Sequence, residues 1–149
     1  MQHRFTTYTT RLVKETVGTY PTSNRMKSAK DIHQVMTQVI RLHECPEENL
    51  YGLYLNTKNV IIGIQMISKG TLNASLVHPR EVLRGAILAN ACGMIICHNH
   101  PSGNCEPSVT DTNVTANIKQ ACALMGIPLL DHVVIAENEY FSYRDQNRL

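Results

Sequence analysis

The chain has 149 residues, 43% hydrophobic and 17% charged, which at roughly 150 residues per domain is one domain with a real core and excludes a second full domain, a disordered chain and a collagenous one. Fourteen Lys and Arg stand against twelve Asp and Glu, a net +2 at pH 7. That is too little charge to make nucleic acid or an anionic membrane the default partner.

Residues 1 to 27 are rich in Thr, Tyr and basic side chains, with an alternating stretch from Tyr8 to Val17 and a break at Pro21. They read as an extension carrying one edge strand, ahead of a domain over residues 28 to 149. Ile32, Val35, Met36, Val39 and Ile40 then recur at helical spacing, and Ser28 with Asp31 forms a capping-box start, so a helix is expected to end near Leu42. Leu50 to Leu55 and Val60 to Ile67 are apolar runs separated by the polar Asn56 to Asn59, the pattern of an antiparallel hairpin. Leu72 to Val77 can continue the sheet. Pro79 sits where the first turn of a helix tolerates Pro, and that helix should run to about Asn90.

Gly93 to His98 is short and apolar on both faces, which suggests an interior strand covered by helices. A polar loop from Asn99 to Pro107 leads to a helix bearing Val114, Ile118, Ala121, Cys122 and Met125, closed by Gly126. Leu129 to Ile135 and Tyr140 to Tyr143 complete the sheet. The expected fold is therefore α/β, a single domain with one mixed β-sheet flanked by helices. The longest apolar runs fall short of the roughly 18 residues of a membrane span, and the first residues lack the apolar core of a signal peptide. The expectation is a soluble, cytoplasmic protein without a membrane partner. Five cysteines without a Cys-x-x-Cys pair fit that compartment and offer no disulfide framework.

The chemistry concentrates in residues 98 to 111. His98 and His100 are two apart at a strand end, so strand alternation aims both imidazoles to one side as a chelating pair. Asp111, in the first turn of the next helix, can swing back as a third ligand once Pro101 to Pro107 reverses the chain. Two imidazoles and a carboxylate suit Zn²⁺ and leave a fourth position for water, whose pKa falls to about 7 there. A general base outside the ligand set is needed, and Glu48, at the head of the Leu50 to Leu55 strand, is the candidate if that strand lies beside the ligands. Ser108 is positioned to donate to the oxyanion formed when a carbonyl is attacked.

Each of these residues has a plainer reading. Ser108 and Asp111 also spell a capping box, and Asp111 cannot fully cap and ligate at once. Glu48 belongs to a charged cluster with Glu44 and Glu47, in which Glu47 is the neighbour most easily mistaken for it. His78 reads as a helix-start residue, and Asp131 and His132 as a strand-end hydrogen-bonding pair or as support for the ligands. Cys92, Cys97 and Cys122 read as small core residues, and Arg25, Lys27 and Lys30 as a solvated helix start.

The set His98-x-His100, seven residues, Ser108-x-x-Asp111, with Glu48 heading an earlier strand, resembles the JAMM motif of the JAB/MPN metallopeptidases. Leu53 to Asn59, Val77 to Glu81, His98 to Gly103 and Leu130 to His132 resemble its RadC-type branch, across about Ser28 to Tyr143. The resemblance implies the cytidine-deaminase-like JAB fold, a zinc held by His98, His100 and Asp111, Glu48 as acid and base, and Ser108 as oxyanion support. Longer members of the branch carry an N-terminal helix-hairpin-helix region associated with DNA, for which this chain is too short, so that role is not expected here. Cys105, in the loop between ligands, departs from the family pattern and is a competing metal ligand or an oxidation site.

Two functions follow. One is a zinc-dependent metallohydrolase acting on a peptide or isopeptide bond. The other is a RadC-like accessory of DNA repair or a mobile element, with structural zinc and a weak or partner-mediated association with nucleic acid. A zinc nucleobase deaminase would need His-x-Glu and Pro-Cys-x-x-Cys, and neither is present.

Overall fold

In the computed structural model, which describes residues 3–70 and 77–149, helix α1 (Ala29–Gln38) opens on the capping box that its sequence spells. Ser28 accepts from the Asp31 backbone, and the Asp31 carboxylate accepts from the Ser28 N–H. The helix stops at Gln38, four residues before Leu42. The β-branched pair Val39 and Ile40 is poorly suited to extend it, and Arg41 adopts φ 56° before a short 3-10 turn, Leu42–Glu44. The apolar stripe therefore continues as packing without continuing as helix: Leu42 is fully buried.

Strands β1 (Asn49–Leu55) and β2 (Ile61–Lys69) form the expected antiparallel hairpin. Asn56 Oδ1 accepts from the backbone of Lys58 and Val60 across the turn. Helix α2 (Pro79–Leu88) begins with Pro in its first turn and is capped by His78, whose Nδ1 accepts from Arg80 N–H. Strand β3 (Gly93–Asn99), helix α3 (Val109–Leu124), and strands β4 (Leu129–Ile135) and β5 (Tyr140–Ser142) complete a single mixed sheet of order β2-β1-β3-β4-β5. β3 pairs antiparallel with β1 and parallel with β4, the parallel pair being joined through α3.

The sheet buries both faces, and β3 is buried along its whole length. Ile95 and Cys97 pack with Ile32, Val35 and Met36 of α1, whereas Met94 and Ile96 pack with Val82, Leu83, Val114 and Ile118 of α2 and α3. This is the mixed α/β architecture expected from the sequence.

Four local expectations fare differently. No strand forms over Tyr8 to Val17, where the chain is exposed; the edge of β2 is met further on, by an isolated bridge between Arg25 and Val60. The strand expected over Leu72 to Val77 lies, but for Val77, outside the described residues. Cys97 and Cys122 are buried, but Cys92 is exposed, because it follows α2 in the turn into β3. Arg25, Lys27 and Lys30 are exposed, as a solvated helix start should be. Among the described residues no helix is long and apolar enough to cross a membrane.

Candidate metal centre

Strand pairing assembles the site. β1 runs antiparallel to β3 with Leu50 opposite His98, so two further residues along the same register set Glu48 opposite His100. The period of two also puts Glu48 on the face of Leu50 and His98, while Glu47 turns away. Glu47 Oε2 lies 3.4 Å from Lys69 Nζ, and Glu44 pairs with Arg41 at 2.6 Å. Of the three neighbouring acids, only Glu48 enters the site.

Glu48, His98, His100 and Asp111 bring one ligand atom each to within 4.8 Å of one another. His98 Nε2 lies 2.9 Å from His100 Nε2. Asp111 Oδ1 lies 3.5 Å from His98 Nε2, and Oδ2 lies 3.4 Å from His100 Nε2. Glu48 Oε1 lies 3.9 Å and 3.7 Å from the same two nitrogens. Tetrahedral zinc with bonds of about 2.0–2.2 Å separates its ligand atoms by about 3.3–3.6 Å. The His–Asp spacings match that edge, the His–His spacing is tighter, and Glu48 stands slightly outside it.

The chemistry of the donors fits a divalent cation. The Asn104 carbonyl can only accept, so His100 Nδ1–H donates to it over 2.7 Å, which leaves Nε2 as the ring atom turned toward His98, Asp111 and Glu48. Burial, with His132 beside it, holds the fully buried His98 well below the usual histidine range. His100 is raised, first by its hydrogen bond to Asp111. Burial pushes Asp111 up, but the bond to His100, the His98 ring and the two bonds from Ser108 outweigh it, and the carboxylate is held well below its usual range. An ionised carboxylate facing two converging ring nitrogens is a donor set that could hold a metal ion.

Asp111 caps and faces the cluster at the same time, because its capping oxygen Oδ2 also lies 3.4 Å from His100 Nε2 and its second oxygen is turned to His98. Oδ2 accepts from Ser108 N–H and Oγ–H, at 2.6 Å and 2.7 Å, while Oδ1 is the oxygen nearer His98. The Ser108 hydroxyl proton is thereby committed to Asp111. Cys105 is not among the clustered ligands; its Sγ lies 4.0 Å from Glu139.

Three further residues support the cluster. Asn99, on the opposite face of β3 from His98, accepts from Asn49 N–H at 2.8 Å and donates to the carbonyls of Cys45 and Glu47 at 3.1 Å and 3.0 Å, clamping the segment that carries Glu48. His132 Nε2 lies 2.7 Å from His98 Nδ1, and His132 Nδ1 lies 2.6 Å from Thr115 Oγ1. Asp131, its sequence neighbour, works elsewhere, binding Ser142 Oγ and Arg144 N–H. Polar Asn99 and His132 inside apolar strands were visible signals in the sequence; Thr115, one threonine among several, offered none.

A family model described as the RadC-like JAB domain matches residues 26–148. The chain belongs to this family. A UPF0758 protein of Chlorobium luteolum is 46% identical to it over 128 residues, covering 86% of this chain and 56% of that protein. Another, of Chlorobium phaeovibrioides, is 44% identical with the same coverage, and one of Clostridium beijerinckii is 41% identical over 122 residues, covering 82% and 52%. The chain spans little more than half the length of these curated relatives. All four clustered side chains lie inside the matched RadC-like JAB region.

Proposed function

We propose that this RadC-like JAB domain is a zinc-dependent hydrolase of the JAMM type, a metallopeptidase or isopeptidase. The observation that carries this reading is the convergence of His98 Nε2, His100 Nε2 and Asp111, with Glu48 Oε1 drawn back to 3.7–3.9 Å from both imidazoles. Held by His98, His100 and Asp111, zinc supplies Lewis acidity toward a carbonyl oxygen and toward water. Glu48 takes the proton of the attacking water and delivers it to the leaving amine. Ser108 exchanges its hydrogen bond to Asp111 for one to the substrate oxygen as negative charge develops there. The partner is a peptide or isopeptide.

A second reading is favoured by one feature of the same geometry: Glu48 is close enough to serve as a fourth ligand, and four protein ligands make a closed, structural zinc site. The chain would then be a RadC-like accessory of DNA repair or a mobile element, with a weak or partner-mediated association with nucleic acid.

Glu48→Gln separates the two. As the base, its loss leaves zinc bound and lowers peptide or isopeptide turnover by about 10²–10⁴. As a ligand, its loss releases zinc, which overturns the hydrolase reading.

A further inference from the structure

We infer that His132 is a positioning residue for this site: together with Thr115 it holds His98 in the tautomer protonated on Nδ1, so that the Nε2 lone pair faces His100 and Asp111. The inference rests on the reading of the cluster as a metal centre.

Thr115 Oγ1 lies 2.6 Å from the backbone carbonyl oxygen of Asp111. A carbonyl only accepts, so the single hydroxyl proton of Thr115 goes there. Thr115 Oγ1 also lies 2.6 Å from His132 Nδ1, and with its own proton used it accepts, so His132 carries its proton on Nδ1. The His132 ring is fully buried, and its two hydrogen-bond partners, Thr115 and His98, offer no negative charge to offset a second proton, so it carries only the one. Its Nε2 is then an acceptor, and the 2.7 Å contact with His98 is a bond donated by His98 Nδ1–H. The neutral His98 ring has its remaining lone pair on Nε2, the atom 2.9 Å from His100 Nε2.

Geometry reinforces this chain of donors. His132 and His98 are fully buried and Thr115 nearly so, so water offers no competing partner. The Tyr143 ring stacks on the His132 ring, with centroids 5.0 Å apart and planes 6° from parallel, and fixes its rotation. The chain begins at one candidate ligand, His98, and ends on the backbone of another, Asp111. It therefore sets the tautomer of the first and ties the helix turn of the second to β4. Ligating histidines generally need such a partner for the second ring nitrogen, commonly a carboxylate, a carbonyl or water; here a neutral histidine fills that place and owes its polarity to Thr115.

The test uses the whole chain. Nitrogen-15 imidazole NMR of zinc-free protein should show the proton on Nδ1 of both His98 and His132; a proton on Nε2 of His98 overturns the inference whether or not zinc binds. Zinc affinity, read by competition with a chromogenic chelator, should fall about 10- to 100-fold in His132→Leu and recover most of that loss in His132→Gln, whose amide oxygen accepts from His98 while its NH₂ donates to Thr115. Equal loss in both variants also overturns it. If the leucine variant does not fold, Thr115→Val against Thr115→Ser makes the same comparison, with loss expected only in valine. Parent protein that takes up no zinc would end the metal-centre reading, and the tautomer measurement would still decide the role of His132.

Discussion

The two imidazoles of the site are two residues apart and are held by different kinds of structure. His98 is fully buried in the central strand, wired to β4 and α3 through His132 and Thr115. His100 lies just past β3 at 15% side-chain exposure, and its second nitrogen is fixed by the Asn104 carbonyl of the loop that follows. One half of the cluster is thus organised by the sheet and the other by a loop, and their titration differs accordingly. Burial lowers His98, whereas hydrogen bonding to Asp111 raises His100. As ligands of the proposed metal, a rigid imidazole beside an adjustable one would keep the site preorganised and still able to accommodate what binds.

The largest expected break removes the residue both halves share. Asp111→Ala should reduce zinc from about one per chain to near none, measured by metal analysis of purified protein; a full complement of zinc in that variant would remove Asp111 from the ligand set. Next comes the sheet half. Asn99→Leu strips three hydrogen bonds from the segment carrying Glu48 and leaves backbone groups unsatisfied, at a cost of about 2–4 kcal/mol in urea unfolding. An effect below half a kcal/mol would mean that Asn99 does not clamp that segment. The smallest effect belongs to the loop half. Gly103 has φ +79° with nothing within 4 Å of an added Cβ, so Gly103→Ala costs only the backbone strain, about 1 kcal/mol. It should weaken zinc binding through His100 while leaving the global unfolding midpoint nearly in place, and the reverse pattern would argue against the division into halves.

Elements with strong local signals were legible in advance. The capping box at Ser28, the hairpin at Asn56 to Asn59, Pro79 and Gly126 all stand where their chemistry requires. The misses have local causes: α1 ends where Arg41 turns left-handed, although its apolar stripe runs on to Leu42, and threonine-rich Tyr8 to Val17 has strand-like alternation but pairs with nothing in the sheet.

Residue order alone determined the short-range half of the site, because His98, His100, Ser108 and Asp111 fall within one strand–loop–helix turn and strand alternation and helix capping act over a few residues. The sequence named Glu48 only on the condition that its strand lies beside the imidazoles; that neighbourhood, the Asn99 clamp and the placement of His132 and Thr115 behind His98 came only from tertiary structure. Each depends on which strands are neighbours and in what register, and register is set by burial of both faces of the sheet across separations of 17 to 54 residues. A one-residue slip between β1 and β3 would turn Glu48 to the opposite face of the sheet with every sequence motif unchanged.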